Sequence, residues 1–107
     1  MSTFTLPNDA SQHGRAYAEF SVALVAATVA GFQSHGFKCH SEISFQTDDA
    51  RIIFFEDESH VEHLDLLAIY SAAEPLGKGT VEYATRLGGL VVGQIVDRLE
   101  VFTANLN

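Results

Sequence analysis

Phe37-Lys38-Cys39-His40-Ser41-Glu42-Ile43-Ser44-Phe45-Gln46, followed by Thr47-Asp48-Asp49-Ala50 and Arg51-Ile52-Ile53-Phe54-Phe55, decides how this chain folds. In the first run Phe37, Cys39, Ile43 and Phe45 share one face, and Lys38, His40, Glu42, Ser44 and Gln46 share the other. Period two is the mark of a strand with one face buried. The second run is apolar on both faces, so each of its faces calls for a cover. Aspartate bonds readily to nearby backbone, which makes 47–50 a turn and Asp48 and Asp49 turn residues rather than a catalytic carboxylate pair. The whole stretch predicts an antiparallel hairpin.

Upstream, 11–34 predicts a helix: alanine dominates, no proline interrupts, and Gly36 supplies a stop. Its apolar residues, among them Tyr17, Phe20, Leu24, Val25, Val29 and Phe32, spread around most of the helical wheel. Such a helix needs burial on most sides, which a small domain struggles to supply alone. The run from Ala16 to Phe32 contains Glu19 and lacks basic and aromatic anchors, so it reads as a buried helix rather than a membrane span. Residues 1–12 are polar, contain Pro7 and show no period. They read as a flexible arm, and 13–107 as one domain.

Downstream, residues 59–74 carry two competing patterns. Ser59 with Glu62 has the spacing of a capping box, and Pro75 with Gly77 would stop a helix. A third strand from His60 to Ser71 is the alternative, and the helix is preferred. From Thr80 as N-cap, Val81, Ala84, Gly88, Val91, Ile95, Leu99 and Phe102 recur at three- and four-residue spacing. Glu82, Arg86, Asp97 and Glu100 lie opposite, as on an amphipathic helix. Gly89 and Gly93 fall near its polar side and, with Thr85, suggest a close approach by another element. The expected class is therefore α+β: a long N-terminal helix, a β-hairpin, a helix or third strand, and a C-terminal amphipathic helix.

The chain has 107 residues, 47% hydrophobic and 19% charged, with a formal net charge of −8. This is globular composition, with one core's worth of apolar residues. Direct nucleic-acid binding needs clustered Lys and Arg, and the basic side chains here are scattered. An anionic membrane would repel this charge, while a protein with a basic surface would attract it. Protonating all five histidines would bring the charge from −8 to −3. The single cysteine, Cys39, excludes an internal disulfide. With no signal-peptide pattern at the N-terminus, this points to the cytoplasm.

The chemistry-bearing residues concentrate in 56–65. Glu56, Asp57, Glu58, Glu62 and Asp65 form an acidic surface around His60 and His63. On a helix, residues three apart share a face, so His60 and His63 with Asp57 and Glu58 would offer a divalent metal four ligands. The spacing matches no specific metal motif, and an acidic helix cap accounts for it without metal. Cys39 falls on the apolar face of its strand and reads as an inert thiol. The loop before the last helix lacks the Walker spacing.

With no complete catalytic motif, the preferred reading is a small acidic protein-interaction module: an inhibitor, adaptor or assembly subunit. It would act as a homo-oligomer or beside a partner with a basic surface. Its interface would draw on Phe20, Val25, Val29, Phe54, Gly89 and Gly93, and it needs no cofactor. The alternative is a small metal-dependent or His/carboxylate enzyme built around His60 and His63.

Overall fold

A computed structural model describes residues 13–55 and 61–106; over 99–106 only the helical backbone is described. Helix α1 (Arg15–Ser34) leads into strands β1 (Cys39–Ser44), β2 (Asp49–Phe54) and β3 (Val61–Asp65). Helix α2 (Leu66–Ala73), a 3₁₀ turn at Glu74–Leu76 and helix α3 (Val81–Leu106) complete the order. The strands form an antiparallel meander, β1-β2-β3. The expected α+β class is therefore present, with a long first helix, a hairpin and a C-terminal helix.

Residues 59–74 divide between the two patterns seen in the sequence. Val61–Asp65 is a strand and Leu66–Ala73 a helix. The helix starts at Leu66 rather than after Ser59, and its cap is Asp65, whose carboxylate accepts the Ala68 N–H at 3.1 Å. Leu64 alternates into the core as a strand residue, and Leu66 follows it there from the first turn of α2. Tertiary burial thus selects a strand where local spacing favoured a helix. The hairpin turn also shifts: β1 ends at Ser44, the turn occupies 45–48, and Asp49 opens β2.

Helix α1 ends as Gly36 predicts. Gly36 adopts φ 90°, its N–H reaches Gln33 C=O, and Phe37 N–H reaches Phe32 C=O, both at 3.0 Å. This is a Schellman motif, and the apolar contact that accompanies it is Phe32 against Phe37, ring centroids 6.0 Å apart. At the other end the helix starts at Arg15, after Gly14. Thr80 caps α3 by accepting Tyr83 N–H at 3.2 Å.

The core lies between the inner sheet face and the two long helices. Tyr17, Phe20, Leu24 and Phe32 of α1 are fully buried, and Ala50, Ile52, Phe54 and Leu64 meet them from the sheet. Helix α1 satisfies the length and composition of a membrane span, and 44% of its apolar window is buried against its own chain. The all-round burial expected of α1 is not reached in one chain. Ala16, Ala26 and Ala30 are exposed, and Val22 and Val29 are half-buried. Alanine rather than a larger apolar residue faces outward there.

The helices touch through glycine. A Cβ on Gly88 would stand 2.6 Å from Ala27 Cβ and 3.0 Å from Thr28 N; one on Gly31 would stand 2.8 Å from Val92 Cγ2. Because 27–31 on α1 meets 88–92 on α3 in the same order, the helices run parallel. The close approach expected at Gly89 and Gly93 occurs instead at Gly88, one residue away and about 100° around the helix. Nothing lies within 4 Å of a Cβ at Gly89 or Gly93. Val81, expected on the buried face, is 44% exposed, and Val92 is buried where Val91 is only half-buried.

Gly88→Ala should destabilise the fold by about 1–3 kcal/mol through overpacking, despite the better helix propensity of alanine. Gly89→Ala should stabilise by up to about 1 kcal/mol. Urea denaturation of the two variants measures both, and equal or reversed effects would refute the tight seam.

Candidate functional site

The sheet's outer face follows from strand alternation and register. Across it run the rows His40–Ile53–Val61, Glu42–Arg51–His63 and Ser44–Asp49–Asp65. Lys38 and Phe55 extend it, joined by a backbone hydrogen bond of 2.9 Å. Among the described residues, no helix packs on this side. Phe55 is 56% exposed and stacks on the His40 ring, centroids 4.9 Å apart. Beside them Ile53 and Val61 are half-buried. The second cover that the doubly apolar β2 calls for is therefore not provided by these elements. Arg51 pairs with Glu42 across the strands, and Lys38 at one end of the face partly offsets the charge of Asp49 and Asp65 at the other. The described part of this face is thus close to electroneutral on a chain of net charge −8.

A second constellation gathers at the β1–β2 turn. Asp48 adopts φ 56°, a left-handed conformation that Asp tolerates better than most residues. Its Oδ1 accepts the Tyr17 hydroxyl at 2.9 Å, and its Oδ2 lies 2.9 Å from His13 Nε2. Its carbonyl accepts the Leu66 N–H at 3.0 Å. Burial pushes the Tyr17 hydroxyl well above its ordinary pKa, and the hydrogen bond and negative charge of Asp48 push the same way. Ser21 Oγ is buried and makes no complete hydrogen bond among the described residues; it is the one neighbour that favours the Tyr17 phenolate. Phe45 and Tyr70 pack edge-on to Tyr17, at 5.7 and 5.4 Å. This cluster locks α1 to the sheet and to α2. With its hydroxyl held protonated, Tyr17 serves as a donor and not as a base.

A third feature lies between β3 and α3, where a groove of about 470 Å³ is lined by Glu62, His63 and Leu64 and by Val91, Gln94, Ile95, Asp97 and Arg98. Glu62 stands on the inner face at the sheet edge and meets Arg98 Nη2 at 3.3 Å.

Glu56, Asp57, Glu58 and His60 lie outside the described residues. His63 is on a strand, exposed and opposite Arg51, so the helical i, i+3 geometry assumed for a His60–His63 metal pair does not apply at 61–65. Among the described residues no group of three His, Cys, Asp or Glu side chains is placed to hold a metal ion. Phe20, Val25 and Phe54, expected at an interface, are at most 5% exposed inside the chain's own core. Val29 is half-buried; Gly89 and Gly93 keep open surface. Cys39 is buried as expected, and burial pushes its thiol up, away from the nucleophilic thiolate. Sequence reasoning took Asp48 as a turn residue only; its pairing with Tyr17 spans 31 positions, and no local spacing announces it.

No family model matches the chain, and neither the curated proteins nor the solved structures gave a match.

Asp48→Ala should cost about 1–3 kcal/mol, because it leaves a buried hydroxyl without an acceptor and places alanine at positive φ. Asp48→Asn, which keeps an acceptor and tolerates that backbone, should cost less. The raised Tyr17 pKa adds an alkaline signature. The unfolded chain releases that proton near pH 10 while the folded chain holds it. Its stabilisation is thus complete below pH 10 and declines as pH rises above it. Tyr17→Phe should remove this part of the decline in urea midpoints measured from pH 8 to 11; an unchanged slope would refute the assignment.

Proposed function

We propose that this protein is a small acidic interaction module that associates with itself through the open face of its sheet. The observation that carries the reading is Phe55, 56% exposed beside Ile53 and Val61 on a face that none of the described helices covers. Exposed apolar residues clustered on one face mark association surfaces more often than scattered ones do. Electrostatics favours a second copy as the occupant. Two chains of charge −8 repel at long range, but among the described residues of this face Lys38 and Arg51 leave only one of the charges of Glu42, Asp49 and Asp65 uncompensated. It is therefore a side where two copies can approach with little local repulsion.

Light scattering at micromolar concentration should give twice the 11.6 kDa of the chain. Added salt should strengthen the association by screening the net charge. Phe55→Asp should weaken it by about 2 kcal/mol, as loss of a central aromatic anchor does, with the monomer fold unchanged by circular dichroism. A monomeric mass at all concentrations would overturn self-association. The charge would then favour the hetero-complex form of the same reading, with an inhibitor, adaptor or assembly subunit facing a basic partner surface. No geometry among the described residues favours the metal-dependent enzyme.

A further inference from the structure

We infer that the free edge of β3 receives an extended, basic segment of another protein as a fourth strand, seated in the groove beside α3. The inference concerns the sheet's edge, not its open face, and goes beyond the self-association proposed above.

The hydrogen-bond phase of the sheet places the backbone groups. Leu66 N–H bonds Asp48 C=O, so by strict alternation Ala50–Leu64 and Ile52–Glu62 are the hydrogen-bonded pairs of β2 and β3. The N–H and C=O groups of Val61 and His63 and the N–H of Asp65 then point away from β2, while the Asp65 C=O is taken by the first turn of α2, which Asp65 caps. That gives two full stations and one further donor for an incoming strand, spaced as β-addition requires. β3 is the last strand of the sheet, and no hydrogen bond from these outward groups occurs among the described residues.

The groove makes this edge more than a sheet boundary. Helix α3 stands off from β3 and leaves about 470 Å³ between them, floored by Leu64, Val91 and Ile95. A strand laid along β3 turns alternate side chains onto that floor and the others outward beside His63 and Asp65. Asp97 brings negative charge to the groove, Asp65 stands at the end of β3 where the outward side chains of an added strand would pass, and Arg98 is engaged by Glu62. The occupant this suits alternates apolar residues, facing in, with Lys or Arg, facing out. A second copy of β3 would bring its own Asp65 to this edge, and like charges disfavour it there.

A blocked peptide of alternating lysine and valine titrated into the isotope-labelled full chain tests this by amide NMR. Saturable shifts are expected at 61–65 and 91–98. They should be lost in Gln94→Trp, which fills the groove from an exposed position. They should also be lost in His63→Pro, which removes an outward N–H and leaves the β2–β3 ladder its bonds. N-methylating alternate peptide amides should abolish binding, and an alternating glutamate and valine peptide should not bind. Phe55→Asp should leave the shifts in place, which separates this edge from the open face. The inference is overturned by an absence of saturation up to millimolar peptide, by shifts confined to Lys38, His40 and Phe55, or by undiminished binding to Gln94→Trp.

Discussion

Asp48 is the point at which the elements of this structure are tied together. One side-chain oxygen holds the Tyr17 hydroxyl of α1, the other faces His13 just before that helix, and the carbonyl fixes the first N–H of α2. The residue sits at φ 56° in a hairpin turn, so its backbone strain is sustained by contacts to three separate parts of the chain. With Tyr17 anchored, Phe45, Tyr70 and Phe20 assemble around it as a chain of edge-on aromatic contacts. Such contacts favour one relative orientation of helix, turn and sheet where plain aliphatic packing would tolerate several. The placement of the open sheet face follows, because α1 and α3 are thereby committed to the opposite side.

The elements whose signals are local were legible in the sequence. The period-two pattern of 37–46 gave β1 its correct inward set, Gly36 gave the end of α1, and Thr80 gave the start of α3. Where the sequence misled, a longer-range constraint decided. Ser59 and Glu62 have capping-box spacing, yet Val61–Asp65 pairs with β2, because Leu64 is needed beside Ala50 in the core. Gly89 and Gly93 form a row of small residues, yet Gly88 carries the helix contact, because helix phase against Ala27 and Thr28 is set by tertiary packing. The candidate surfaces were legible only in outline. The doubly apolar β2 signalled a face in need of cover, but not that its own helices would all settle on the other one. Asp48, read as a turn former, gave no sign of its partners, since they arrive from another element.

The acidic character of the chain acquires a location in the structure. Among the described residues, cations and carboxylates nearly balance around the open sheet face, while the groove between β3 and α3 keeps Asp97 beside an Arg98 already engaged by Glu62. One small domain thereby presents two surfaces with different electrostatic demands. On the proposed reading, the apolar, near-neutral patch is the one that meets its own copy, and the edge is not. Charge here acts less on total affinity than on which surface may meet which.

The parallel course of α1 and α3 bears on how the chain reaches this state. Two helices joined by a short loop run antiparallel and can zip together early; these cannot. Ala27 meets Gly88 only after a loop of about 60 residues has closed, and closing it means first reversing direction through the meander and α2. The most intimate seam of the protein is therefore among its most non-local, which slows folding relative to a helical hairpin of the same length. Until that closure the apolar flank of α1 has no partner within its own chain. During synthesis α1 emerges before α3, so the nascent chain carries that exposed flank until the roughly 60 residues between them and α3 itself have followed.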